Sequence, residues 1–124
     1  MRILVSGESK LVRQGVAMIL ESVDGYEVEQ VPELSRARAR LRFRGAHVLV
    51  LDLDPYASGL AALRELAGEG VATPIVALLT SATRAHVSGA LSAGATICLA
   101  KEAVAEELVA AVELACVPPS AAAV

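Results

Sequence analysis

Short runs of aliphatic residues alternate five times with segments whose apolar positions fall at helical spacing, and that order is the strongest constraint on the fold. Neighbouring strands joined by a helix must run parallel, because a parallel pair needs a long crossover, and such crossovers are right-handed. The expected class is therefore α/β: a doubly wound parallel sheet with helices on both faces.

The strand-like runs are Arg2–Ser6, Tyr26–Val31, Val48–Leu51, Ile75–Leu79 and Ala95–Ala100. Val48-Leu49-Val50-Leu51 is continuously apolar, as a strand covered on both faces must be, whereas Tyr26–Val31 alternates and reads as a half-exposed edge. The first helix is expected after an N-cap at Ser9, with Leu11, Val12, Gly15, Val16, Ile19 and Leu20 on its apolar face, ending near Asp24-Gly25. Pro32-Glu33 opens the second, whose stripe of Leu34, Ala37 and Leu41 is threaded by Arg36, Arg38, Arg40, Arg42 and Arg44. Those arginines read as a solvated face with stems lying over apolar surface. Asp54–Gly59 reads as a loop, followed by a helix on Leu60, Leu63 and Leu66 that stops at Gly68-Glu69-Gly70. Thr83–Ala93 is a weaker helix, since Gly89 costs about 1 kcal/mol relative to Ala. Val104, Leu108, Ala111, Val112 and Ala115 mark the last one.

With 124 residues the chain holds one domain, and a 55% hydrophobic composition excludes disorder as its main state. Aromatic residues make up only 2%, so the core must be aliphatic. A net charge of −3 argues against gripping nucleic acid through phosphate neutralisation. Cys98 and Cys116 fit no metal or redox spacing and read as buried thiols of a reduced, cytoplasmic protein. No segment is long and apolar enough to cross a membrane, and none has the layout of a signal peptide.

In an open α/β sheet, ligands gather at the carboxyl ends of the strands. Asp52 closes the third run there, Glu8 follows the first and Lys101 follows the fifth. A lone aspartate at such a tip is often structural, but the trio resembles the needs of phosphoryl transfer to a carboxylate. Those needs are an acceptor, a divalent ion to neutralise oxygens, and a cation or hydroxyl on the developing charge. Asp52 suits the acceptor, Glu8 and the backbone after Asp52 suit Mg²⁺, Lys101 suits the phosphoryl group, and Thr80 or Ser81 offers a hydroxyl. His47 and His86 are too isolated to be metal ligands, and without a nucleophile triad, a glycine-rich phosphate loop or a zinc spacing, a free-standing enzyme is not expected.

Several segments carry a family resemblance together: Ile3-Leu4-Val5, Leu11-Val12-Arg13-Gln14-Gly15, His47 through Leu53, Thr73-Pro74-Ile75-Val76, and Ala90-Leu91-Ser92-Ala93-Gly94-Ala95 leading to Lys101. Over essentially its whole length the chain resembles the receiver domain of bacterial two-component response regulators, particularly the NarL/FixJ-like transcription regulators. The resemblance implies a flavodoxin- or CheY-like (βα)5 fold with strand order 2-1-3-4-5. It implies a receiver over residues 1–116 and the start of an interdomain linker over 117–124, leading to a helix-turn-helix DNA-binding domain. Asp52 then corresponds to the phosphoacceptor, Lys101 to the phosphate-pairing lysine, Thr80 or Ser81 to the switch hydroxyl, and Glu8, Asp52 and Asp54 to the metal site. The implied partners are a sensor histidine kinase and a second copy of the chain, with DNA reached only through the further domain.

Three departures stand against a working phosphorylation site. Gly7-Glu8 replaces the family's acidic pair, so one Mg²⁺ carboxylate is gone and the other is a methylene longer. Because Mg²⁺ demands near-octahedral oxygen ligation, its binding is expected to be weak. The loop after Asp52 is shorter by about one residue when Gly59 is matched to the family's loop glycine, so the switch position falls on Leu79 or Thr80. Cys98 replaces the usual aromatic of the fifth strand, which removes an aromatic rotamer switch. The expectation is an atypical receiver with weak or absent phosphorylation of Asp52, acting through dimerisation or domain contacts of the last two helices and the fifth strand. Two alternatives are a conventional receiver phosphorylated at Asp52 and a small flavodoxin-like protein binding a cofactor or nucleotide. The latter would want a phosphate-cradling first loop and stacking aromatics, and the chain has neither.

Overall fold

A computed structural model of the chain describes residues 1–117. Five strands, β1 (Arg2–Ser6), β2 (Glu27–Val31), β3 (Val48–Asp52), β4 (Ile75–Leu79) and β5 (Ile97–Ala100), alternate with five helices, α1 (Lys10–Glu21), α2 (Leu34–Phe43), α3 (Tyr56–Gly68), α4 (Arg84–Ala93) and α5 (Val104–Ala115). A short 3-10 turn at Lys101–Ala103 joins β5 to α5. All pairings are parallel and the order is β2-β1-β3-β4-β5, the topology expected.

Period-two alternation divides each strand between two cores. Ile3, Val5, Val48, Val50, Val76 and Leu78 pack against Val16 and Leu20 of α1 and Leu108 and Val112 of α5. Leu4, Leu49, Leu51, Ala77 and Leu79 pack on the other side against α2, α3 and α4 through Ala37, Leu63, Leu66 and Ala90. The residues expected to face inward from α5 are all buried. β2 is the half-exposed edge anticipated from its alternation.

The structure departs from the sequence reading at particular places. Leu11 is 81% exposed rather than part of the apolar face of α1, on which Val16, Ala17 and Leu20 are buried and Val12 and Ile19 partly so. Helix α3 begins at Tyr56, inside the segment read as a loop. Gly59 is there for proximity, since a Cβ would lie 2.6 Å from the Cα and the carbonyl oxygen of Leu53. Cys98 and Cys116 are half-buried, their sulfurs 3.8 Å from the carbonyls of Val87 and His47. The arginine helix is solvated: Arg38 pairs with Glu65 at 3.5 Å and with Glu69, and Arg40 with Glu29 at 2.6 Å. Such exposed pairs contribute less than about 1 kcal/mol each. Apart from Val117, the expected linker lies outside the described residues. Among the described residues no helix is long and apolar enough to cross a membrane.

Candidate functional site

Asp52 is the last residue of β3, flanked by β1 and β4 at the carboxyl edge of the sheet. Its side chain is only 3% exposed, so its charge needs partners. Lys101, on the turn that follows β5, reaches back across the end of β4 and places Nζ 2.8 Å from Asp52 Oδ1. The backbone amide of Asp54 donates to the same oxygen at 3.0 Å. Asp54 Oδ2 lies 3.8 Å from the ammonium, on a largely exposed side chain. Lys101 keeps 22% exposure, so water screens the pair from one side.

Gly7 presses on the other side of Asp52. A Cβ at position 7 would lie 2.7 Å from Asp52 Cβ and 3.4 Å from Oδ2. The β1–α1 loop therefore lies so close to Asp52 that no side chain fits at position 7 without a shift. Arg13 of α1 holds the loop there, donating from Nη1 to the Gly7 carbonyl at 2.5 Å. Arg13 Nε is buried without a partner, a small penalty attached to that grip.

Glu8 is exposed and lines a cleft of about 470 Å³ together with Asp52, Asp54, Ser58 and Glu65. The three expected metal carboxylates, Glu8, Asp52 and Asp54, thus share a cleft. Yet among the described residues no three His, Cys, Asp or Glu side chains converge as a metal site. The donor set fits Mg²⁺ poorly: Lys101 and an amide take Asp52 Oδ1 and leave Oδ2 to a metal, but position 7 offers no carboxylate, and a Cβ there would crowd Asp52.

The register bears on the ambiguous hydroxyl. Asp52 pairs with Leu78, whose side chain lies in the α1/α5 core, while Leu79 lies in the opposite core. Continued alternation gives Thr80 the face of Asp52 and turns Leu79 away from it. Thr80 and Ser81 are both exposed, and among the described residues neither hydroxyl bonds to Asp52 or Lys101. Neither histidine stands beside Asp52. His47 Nδ1 accepts the Arg2 amide at 2.9 Å, and His86 Nδ1 lies 2.9 Å from the Ser81 carbonyl, to which it must donate.

Sequence reasoning missed two features here. One is Arg13, a cation aimed at the loop instead of at solvent. The other is Tyr56, which stacks on the His86 ring with centroids 4.0 Å apart and planes at 23°. In a chain so poor in aromatics, a tyrosine four residues beyond Asp52 was the available signal.

Comparison with known proteins agrees with the fold. The family model described as the response regulator receiver domain matches residues 3–113. Among solved structures, the receiver domain of Francisella response regulator 1452 superposes with a TM-score of 0.82 at 22% identity, covering 92% of this chain and 94% of that one. Salmonella typhimurium RcsB, studied for its conformational dynamism in DNA interaction, gives 0.79 at 20% identity over 99% of this chain and 65% of that one. The receiver domain of the response regulator NarL from Mycobacterium tuberculosis gives 0.75 at 19% identity, covering 90% and 95%. No curated protein matches the chain.

Proposed function

This chain belongs to the family of response regulator receiver domains, and from that premise we propose that it is the regulatory module of a transcription regulator whose output does not depend on phosphorylating Asp52. Receivers of this family typically hold Mg²⁺ at their phosphorylation site. The observation that carries the proposal is the packing of Gly7 against Asp52, with a Cβ position only 2.7 Å from the aspartate's own. An incoming phosphoryl group would meet the Lys101 ammonium beside Asp52, but position 7 supplies no carboxylate to hold a metal that balances its charge.

The module then signals through contacts that need no covalent switch, either pairing with a second copy or docking on its own output domain through α4, β5 and α5. The output domain is a helix-turn-helix DNA-binding unit reached through a linker that starts at Val117. RcsB supports this arrangement, since the match leaves about a third of that DNA-interacting protein outside the receiver. A sensor histidine kinase is retained as a docking partner, Thr80 is the residue in the switch-hydroxyl position, and the module sits in the cytoplasm and is not itself an enzyme.

The test is incubation with acetyl phosphate and Mg²⁺ followed by intact-mass measurement, with oligomeric state recorded in parallel. The expected result is no stoichiometric phosphoryl gain and an oligomeric state unchanged in Asp52→Asn. A stoichiometric gain that Asp52→Asn abolishes would overturn the reading in favour of a conventional phosphoacceptor.

A further inference from the structure

Helix α4 is tied to the segment that carries Asp52 by an aromatic clasp. Tyr56, the first residue of α3, stacks on His86, and its hydroxyl donates to the His86 carbonyl at 2.9 Å. One turn further along α4, Gly89 makes the room: a Cβ there would lie 2.4 Å from the Tyr56 hydroxyl oxygen but 3.7 Å from Cζ. His86 is itself fixed. Its ring donates to the Ser81 carbonyl at the end of β4, and its amide donates to the Thr83 capping hydroxyl at 3.2 Å. At the other end, the amide of Asp54 holds Asp52 Oδ1 at 3.0 Å, only two residues before Tyr56.

We propose that Tyr56 is a positioning residue that transmits the state of the Asp52–Lys101 pair to α4, through the loop whose start is hydrogen-bonded to Asp52 and whose end is the clasped ring. The inference rests on the receiver reading of the chain and goes beyond it by naming the route. Releasing Asp52 Oδ1 frees the Asp54 amide, the loop shifts, and the ring carries that shift into the first turn of α4. A route of this kind is established by a coupling between its two ends that disappears when the middle is removed.

The experiment uses the full chain and no phosphodonor. Amide hydrogen exchange of residues 84–93 is measured for Asp52 and for Asp52→Ala, which removes the acceptor of the Asp54 amide, each with Tyr56, with Tyr56→Ala, with Gly89→Ala, and with Gly89→Ala plus Tyr56→Phe. With Tyr56 in place, Asp52→Ala should speed α4 exchange at least about threefold, a loss of about 0.65 kcal/mol of local protection. That response should vanish with Tyr56→Ala. Gly89→Ala, which touches only the hydroxyl, should suppress it too, and adding Tyr56→Phe should restore it because the ring can reseat. Equal responses with and without Tyr56, or no response in the natural sequence, would overturn the proposal. A stoichiometric phosphoryl gain at Asp52 would overturn the phosphorylation-independent reading and leave this test untouched.

Discussion

Restoring a side chain at position 7 is the sharpest perturbation of this site. A Cβ placed 2.7 Å from Asp52 Cβ must move out by about 1 Å to reach ordinary carbon contact. Neither partner yields easily: Asp52 is held in a ladder between β1 and β4, and Arg13 holds the Gly7 carbonyl. Overpacking of this kind costs about 2 kcal/mol. The Gly7 backbone is outside the positive-φ region, so Gly7→Ala recovers about 0.7 kcal/mol by restricting the unfolded chain. The net expectation is a loss of about 1.3 kcal/mol, or about 5 °C in melting temperature for a domain of this size. Gly7→Asp should lose at least about 1 kcal/mol more, since it sets a second carboxylate beside Asp52 Oδ2. Urea unfolding followed by circular dichroism measures both. If Gly7→Ala proves as stable as the parent, or Gly7→Asp accepts a phosphoryl group from acetyl phosphate with Mg²⁺, the argument that the loop has closed this space is refuted.

Lys101→Ala should destabilise the fold by about 2 kcal/mol in the same assay, because it strands a buried carboxylate, and adding Asp52→Asn should recover most of that loss. Gly59→Ala meets the backbone of Leu53 and should cost about 2 kcal/mol even after the gain in helix propensity; a neutral result would mean that α3 can slide away from β3. Burial pushes the thiols of Cys98 and Cys116 up, so both should alkylate with iodoacetamide at least about tenfold more slowly than free cysteine at neutral pH, and at the free rate in urea. The fold prefers the neutral thiols, so stability should fall as the pH rises past their ordinary value of 9.0.

What the sequence could say about this chain follows from the range of the interactions involved. Strand positions, strand order and the inward face of α5 come from local periodicity and crossover rules, and they were legible, as was the shared sheet edge of Asp52 and Lys101. Leu11 was misplaced because helical spacing marks a stripe wider than the face that the neighbouring elements actually cover. The start of α3 was obscured because Ser58-Gly59 has the composition of a turn, while Gly59 serves a close approach to Leu53. The contact of Gly7 with Asp52 and the Tyr56–His86 stack join segments far apart in the chain, and no local pattern encodes them. The missing acid at position 7 was visible; that its place had been filled was not.

The grip of Arg13 on the Gly7 carbonyl makes position 7 hard to change on its own. Reversion by one codon would first pass through a less stable protein, and natural domains sit close enough to their stability threshold for selection to remove such intermediates. A carboxylate can be restored beside Asp52 only if the loop and its arginine anchor are rebuilt with it.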